Sequence, residues 1–316
     1  MLTYCLKRLS WAVVTVFLAA SLVFFAAAAL PGDPARAILG VSATPERIEA
    51  LRDQLGLDHS VWSRYVDWVH SLLTGDLGTS SVNGESLASL MAPRLEASLA
   101  LVVLTAVIAI PLALALGALT AALHDSLLDR GTNWVALLVV ALPEFVVAIL
   151  LVYVFGGGLL RWFPAVSNIS SDRPISQQLD ALVLPTMTLV VVVVPYMMRM
   201  VRAVMLEALA SDYVEMAKLA GLPRRTVILR HALPNALAPT TQVVAVILVY
   251  LFGGLVVVES IFGYPGIGSG FVQAVAVRDF QQVQATAVCI AAAAVLVYTI
   301  ADIAAIALSP RARTSL

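Results

Sequence analysis

The sequence predicts an all-α membrane protein of six transmembrane helices, with a small external helical domain between helices 1 and 2. Three observations carry this. The chain of 316 residues is 60% hydrophobic and only 12% charged, whereas a soluble domain has about half and about a quarter of each. So much apolar surface needs lipid as its solvent. Six apolar runs reach the roughly 20 helical residues that cross a bilayer: 11–30, 97–119, 134–155, 182–200, 241–258 and 285–308. Lysine and arginine are also shared unevenly between the segments that join these runs.

The first stretch, 1–30, is a short N-terminus followed by the first run. Lys7 and Arg8 precede it and Ala-rich sequence closes it before Pro31, a layout that also fits a cleaved signal peptide. Its length and the spans that follow favour a retained helix. In the external segment 31–96, Thr44 caps a helix whose first position is Pro45. Ile48, Leu51 and Leu55 form its apolar stripe and Gly56 ends it. A second amphipathic helix carries Trp62, Tyr65, Val66, Val69, Leu72 and Leu73 and stops at Gly75. The plain reading is a lid on the outer mouth or the membrane surface; the alternative is a binding role of its own.

Residues 97–308 are expected to form a five-helix core, followed by a tail at 309–316. Pro111, Pro143, Pro185 and Pro195 fall within or at the ends of spans, which membrane helices tolerate when neighbours satisfy the released carbonyls. With the N-terminus inside, the inner segments hold Lys7, Arg8, Arg130, Arg199, Arg202, Lys218, Arg224, Arg225, Arg230, Arg311 and Arg313. The short outer loops hold only Arg161, Arg173 and Arg278. The positive-inside rule then places both termini in the cytoplasm. Cys5 and Cys289 fall at opposite faces and cannot pair.

Other classes fit less well. A net charge of −1 gives no general pull towards nucleic acid. No CxxC or Cys/His cluster is present for zinc or iron–sulfur. The histidines, His59, His70, His124 and His231, are scattered over loops on both sides, which argues against a membrane enzyme. A secondary transporter predicts repeated halves, and none is visible. There is no GxxxxGK[ST] phosphate loop.

The most informative stretch is 207–239, EALASDYVEMAKLAGLPRRTVILRHALPNALAP. Asp212 and Glu215 predict a capping box. Tyr213, Met216, Ala217 and Ala220 fall on one face. Gly221 with Pro223 after it predicts a left-handed stop. Arg224, Arg225, Arg230 and His231 follow on a second short helix. A rigid, bounded helix between spans four and five is more than a connection needs; it is built to move as a unit.

Glu215, Ala217, Gly221 and then Leu233 and Pro234 resemble the EAA loop of ABC importer permeases, with Met216 where the family usually has alanine and His231 where it often has isoleucine. PGDPAR (31–36), LGLD (55–58), GDLGTS (75–80), VVVESIFGYPGIG (256–268), RDF (278–280) and the terminal SPR (309–311) are similar, in order, to the B-type permease of dipeptide, oligopeptide and nickel importers. The resemblance implies a type I ABC importer permease fold in the bacterial cytoplasmic membrane. It implies a second homologous permease subunit, two ATPase subunits and an extracytoplasmic substrate-binding protein as partners. No cofactor is expected on this chain, with ATP and Mg held by the ATPases. The implied cargo is peptides, with nickel chelates, haem or glutathione as alternatives.

The resemblance also implies site residues. Asp212, Tyr213, Glu215, Met216, Ala217, Gly221, Leu222 and Arg224 are the expected ATPase-coupling surface. Glu259, Tyr264, Pro265 and Gly266 are the expected gate, in a tight turn that Gly263 and Gly268 help to make. Glu144 is an acid at membrane depth, where each charge costs a few kcal/mol and where similar permeases usually have a small polar residue. It either lines the pathway and meets an amine or cation of the solute, or pairs with another buried polar group. Asp302, in the last span, is read as a structural partner of the inner arginines.

Overall fold

The structure, a computed structural model, describes residues 2–29, 34–39, 43–54, 56–169 and 177–308. Leu30, three residues of the PGDPAR motif (Pro31, Gly32 and Asp33), Leu55, Arg173 and the tail with Arg311 and Arg313 lie outside the described residues. The regular structure of the described residues is helical, with one isolated bridge between Thr79 and Ser86.

The helices are α1 (Leu2–Ala28), α2 (Pro34–Leu39), α3 (Pro45–Gln54), α4 (Val61–Leu73), α5 (Leu87–Ala122), α6 (Leu127–Val140) and α7 (Glu144–Leu151). They continue with α8 (Leu179–Leu209), α9 (Asp212–Leu219), α10 (Arg224–Thr226), α11 (Leu233–Phe262), α12 (Ile267–Ala276) and α13 (Phe280–Leu308). Wider π turns extend α7 over Val152–Gly157 and join α10 to α11 over Val227–Ala232. Five helices contain continuous apolar spans: Leu6–Ala28, Leu87–Ala122, Leu179–Leu209, Pro239–Phe262 and Phe280–Ile300. The sixth expected span is not one rod. α6 and α7 with its π extension meet at a bend of 101°. Pro143 sits there with φ −59° and ψ 145°, and its ring removes a donor and excludes the preceding turn.

The chain divides into two compact units. One comprises Met1–Ser10, Leu99–Tyr264 and Leu296–Leu316. Its centre is α8, against which α11, α6 and α7 pack. In α8, 61% of the apolar window is buried, against 11% in α1, so α8 faces protein where α1 faces lipid or a partner. Pro185 and Pro195 lie inside α8 without ending it. At the other end of the sequence, Arg8 forms an ion pair with Asp302, as expected of that acid.

The second unit comprises Trp11–Ser98 and Pro265–Val295. α3 starts as expected, with Thr44 Oγ1 accepting from Arg47 N at 3.4 Å. α4 is capped by Ser60, whose hydroxyl accepts from Ser63 N. Its apolar face is aromatic: Tyr65 and Trp68 pack on Phe24 of α1 with centroids 5.3 and 5.2 Å away. Tyr65 also hydrogen-bonds Ser21 at 2.7 Å. Leu87, Met91, Ile267 and Ala285 form a small core beneath. Asp279 of the RDF motif is buried. It accepts from Ser80 of the GDLGTS motif, from Ser81 N at 3.2 Å and from Gln282 N at 3.2 Å. Two motifs about 200 residues apart therefore share one carboxylate. This joint also caps α13, which explains why an acid precedes that span.

Candidate functional site

The helix α9 begins one residue earlier in register than the capping box requires. Ser211 is its cap, and Ser211 O accepts from Val214 N and Glu215 N at 3.0 and 3.1 Å. The Ser211 hydroxyl donates back to Ala208 O rather than accepting from the helix. Asp212 and Glu215 therefore do not form the predicted box. They occupy the first turn, where their charge faces the positive end of the helix dipole. The stop is as expected: Gly221 has φ +75°, and the N–H groups of Gly221 and Leu222 close on Lys218 O and Ala217 O. A Cβ at Gly221 would meet nothing within 4 Å, so the glycine is there for its backbone and not for room on this chain.

The faces of α9 also differ from expectation. Val214 and Ala217 turn inwards, 0% and 7% exposed, and α9 packs on the π turn and on α8. Tyr213, Met216, Leu219 and Leu222 point outwards, with Met216 66% and Leu219 76% exposed. An apolar row on a helix outside the spans, with no lipid-length partner, is a surface made to be covered. Arg224 is turned onto its own chain, where its guanidinium donates to Ala122 O at the end of α5. His231 lies in the π turn and His70 in α4, rather than in loops.

Behind α9, Arg202 on α8 grips Asp129 on α6 through Nε at 2.7 Å and an Nη at 2.6 Å. Asp129 also accepts from Asn133 at 2.8 Å and from Asp125 N at 3.1 Å. The Asp129 side chain is 2% exposed and that of Arg202 21%. A two-pronged, hydrogen-bonded pair of this kind locks the base of α6 to α8. In the sequence Arg202 stands out only as an inner-side charge, and the one signal for Asp129 is an acid opening an apolar run.

Glu144 is the first residue of α7, at the bend. Its Oε1 accepts from the hydroxyl of Tyr250 on α11 at 2.5 Å. Gly254, one turn further along α11, lies so close that a Cβ there would come within 2.8 Å of the Glu144 carboxylate. The gate residues fall at the end of α11. Glu259 and Tyr264 are fully buried, and Glu259 O accepts from Tyr264 N at 2.9 Å. Burial, and then the Glu259 charge, hold the Tyr264 phenol far above its ordinary range, so it stays neutral. Gly263 has φ +61°, Pro265 follows Tyr264, and Gly266 is the extended cap of α12. Gly268 lies inside α12. Among the described residues, no group of three His, Cys, Asp or Glu is placed to hold a metal.

Long apolar helices, a broken span with an acid at its break and a bounded helix outside the spans define the class: a multi-pass membrane protein. Comparison with known proteins gives the family. Residues 110–314 match the binding-protein-dependent transport system inner membrane component family, and residues 1–101 match that family's N-terminal component. The chain belongs to this family and is a permease subunit of an ABC importer. A Brucella abortus protein named as a peptide transport system permease is 36% identical over 309 residues, covering 98% of each chain. A Sinorhizobium fredii protein named as a peptide ABC transporter permease is 31% identical over 310 residues, covering 98% of this chain and 99% of that one. The glutathione transport system permease of Escherichia coli K12 is 32% identical over 313 residues, covering 99% of each. An importer of this class also comprises ATPase subunits, a second permease and a substrate-binding protein.

Proposed function

We propose that this subunit forms half of the translocation pathway of an ATP-driven peptide importer and that α9 is the element through which ATPase movement reaches the spans. The observation that carries the coupling role is the outward apolar row of α9, set on a helix with its own start and a positive-φ stop. Asp212, Tyr213, Glu215, Met216 and Leu222 supply the contact, while Ala217 seats the helix inside and Gly221 gives its end its shape. Arg224 ties this region to the end of α5. Displacement of α9 then passes to α8 and, through Arg202 and Asp129, to α6. Peptide cargo is supported by the names of the relatives, as is glutathione, itself a small peptide. ATP and Mg are held by the partner ATPases and no cofactor is assigned to this chain.

Both termini lie in the cytoplasm in this reading, and Glu259, Tyr264, Pro265 and Gly266 belong to the outer gate. The test of function is ATP-dependent uptake by the complex reconstituted in vesicles with its ATPases, sister permease and binding protein. Labelled dipeptides, oligopeptides and glutathione are offered in turn. Uptake of peptides that needs binding protein and ATP is the expected result; uptake of none of these solutes would sink the peptide reading. The test of orientation is impermeant thiol labelling. A cysteine placed at Ser71 should react from outside and one at Arg225 only after permeabilisation.

A further inference from the structure

The bend between α6 and α7 opens two cavities that share one wall, Tyr250. One, of about 420 Å³, is lined by Glu144, Phe145, Tyr250, Gly253, Gly254 and Val257. The other, of about 310 Å³, is lined by aliphatic side chains including Val139, Val192, Val246 and Ile247, with Tyr196 and Tyr250. All these residues belong to one compact unit. An acid therefore lines one cavity and mainly aliphatic side chains the other, with Tyr250 common to both.

The Glu144 carboxylate is incompletely answered. It can accept about four hydrogen bonds when ionised; the Tyr250 hydroxyl supplies one, and Gly254 offers bare backbone instead of a side chain. Among the described residues its ion-pair partners include no Lys, Arg or His, although Asp129 and Asp302 each have an arginine. An anion at membrane depth with a hydrogen bond but no counter-ion is costly to keep. Non-helical backbone at that depth persists only where it is covered by protein or lines an aqueous cavity. Both features are explained if the counter-ion arrives with the solute.

We propose that the two cavities form one site for an amphiphilic cation, with an ammonium or guanidinium group on Glu144 and an apolar body beside Val246 and Ile247. Tyr250 positions the carboxylate and separates the two halves, and Gly254 leaves room for the carboxylate to sit against α11. This rests on the importer reading above and names the chemistry that its pathway selects: a solute whose positive end lies next to an apolar side chain. The competing account is a Glu144 whose role ends with its hydrogen bond to Tyr250. In that case glutamine in its place changes nothing.

The experiment is equilibrium binding of radiolabelled phenethylammonium, and of its neutral counterpart phenethyl alcohol, to the purified complex. Saturable binding of the cation is expected, at least about tenfold tighter than that of the alcohol, equivalent to about 1.4 kcal/mol. Glu144→Gln should abolish that preference, and Val246→Trp, which fills the apolar half, should weaken both ligands. Tyr250→Phe, which removes only a hydroxyl, serves if Glu144→Gln fails to assemble with its partners and should reduce the preference part of the way. Absence of saturable binding, equal binding of cation and alcohol, or full preference in an assembled Glu144→Gln complex would each overturn the proposal. Failure of the importer reading shows separately, as absent ATP-dependent uptake by the wild-type complex in vesicles.

Discussion

The loop helix α9 and the break between α6 and α7 both interrupt long helices, and they are made in opposite ways. α9 is bounded by its own sequence: Ser211 at one end, then Gly221 at φ +75° and Pro223 at the other. The Ser211 hydroxyl and the Lys218 ammonium bond carbonyls of the preceding helix end, and α9 presents an apolar row facing away from its own chain. The break has a single local cause, Pro143, and that cause is not sufficient. Pro185 and Pro195 sit inside α8 without breaking it. What distinguishes Pro143 is its surroundings. Glu144 follows and finds Tyr250 and Gly254 on another helix, and Arg202 clamps the base of α6 through Asp129. One interruption is dictated from within, the other is held from outside. Substitutions should separate them.

The largest expected effect is on the clamp. Asp129→Ala leaves the Arg202 guanidinium without its partner in a nearly closed site, and losing one member of a buried pair costs about 3–5 kcal/mol. Arg202 keeps some access to water, which puts the value at the lower end. The measurement is thermal unfolding of the purified complex. An unchanged melting temperature would mean that the broken span holds its shape without the clamp.

Next is Gly221→Val. The surrounding space is open, so the penalty is backbone strain alone, about 1–3 kcal/mol for a side chain forced into the left-handed region and worst for a β-branched one. Membrane insertion and pairing with the sister permease should survive. ATP hydrolysis stimulated by loaded binding protein should fall by about tenfold or more if some 1.4 kcal/mol or more reaches the coupling step. Wild-type stimulation and uptake would remove α9 from the coupling role.

Tyr250→Phe comes third. A hydrogen bond to an ionised group contributes about 1.5–3 kcal/mol, against about 1 kcal/mol for a neutral pair. Tyr250 is half exposed, so a loss between these two values, about 1.5 kcal/mol, is expected in thermal unfolding of the purified complex. The smallest effect is Glu215→Ala. With no capping box formed, the stability of α9 loses only the favourable meeting of a first-turn acid with the helix dipole, about 0.3–1 kcal/mol. A stability loss well above that range would show that Glu215 has a partner beyond its own helix.

Much of this was legible in order along the chain. Span positions follow from runs of apolar residues because lipid demands them one segment at a time. Thr44, Gly56, Gly75 and Gly221 could be read as starts and stops because caps and left-handed turns are chemistry of three or four neighbouring residues. Legibility ended where a group had a choice of partner. The sequence pattern marks Asp212 as a cap, but Ser211 takes that position and its hydroxyl donates to Ala208 O. Helical spacing puts Tyr213 on one face with Ala217, whereas the structure turns Tyr213 outwards and Val214 and Ala217 inwards.

The sequence by itself determined that this is a helical membrane protein, where its spans lie, and that a firmly bounded helix separates spans four and five. Those properties depend on composition and short-range spacing, which folding does not alter. Only the tertiary structure decided that Pro143 and not Pro185 or Pro195 breaks a span, that Ser80 donates to Asp279 across about 200 residues, and that Tyr250 donates to Glu144. Each of these joins residues distant in the chain, and a hydrogen bond between distant residues exists only once helix packing has brought its two ends within about 3 Å.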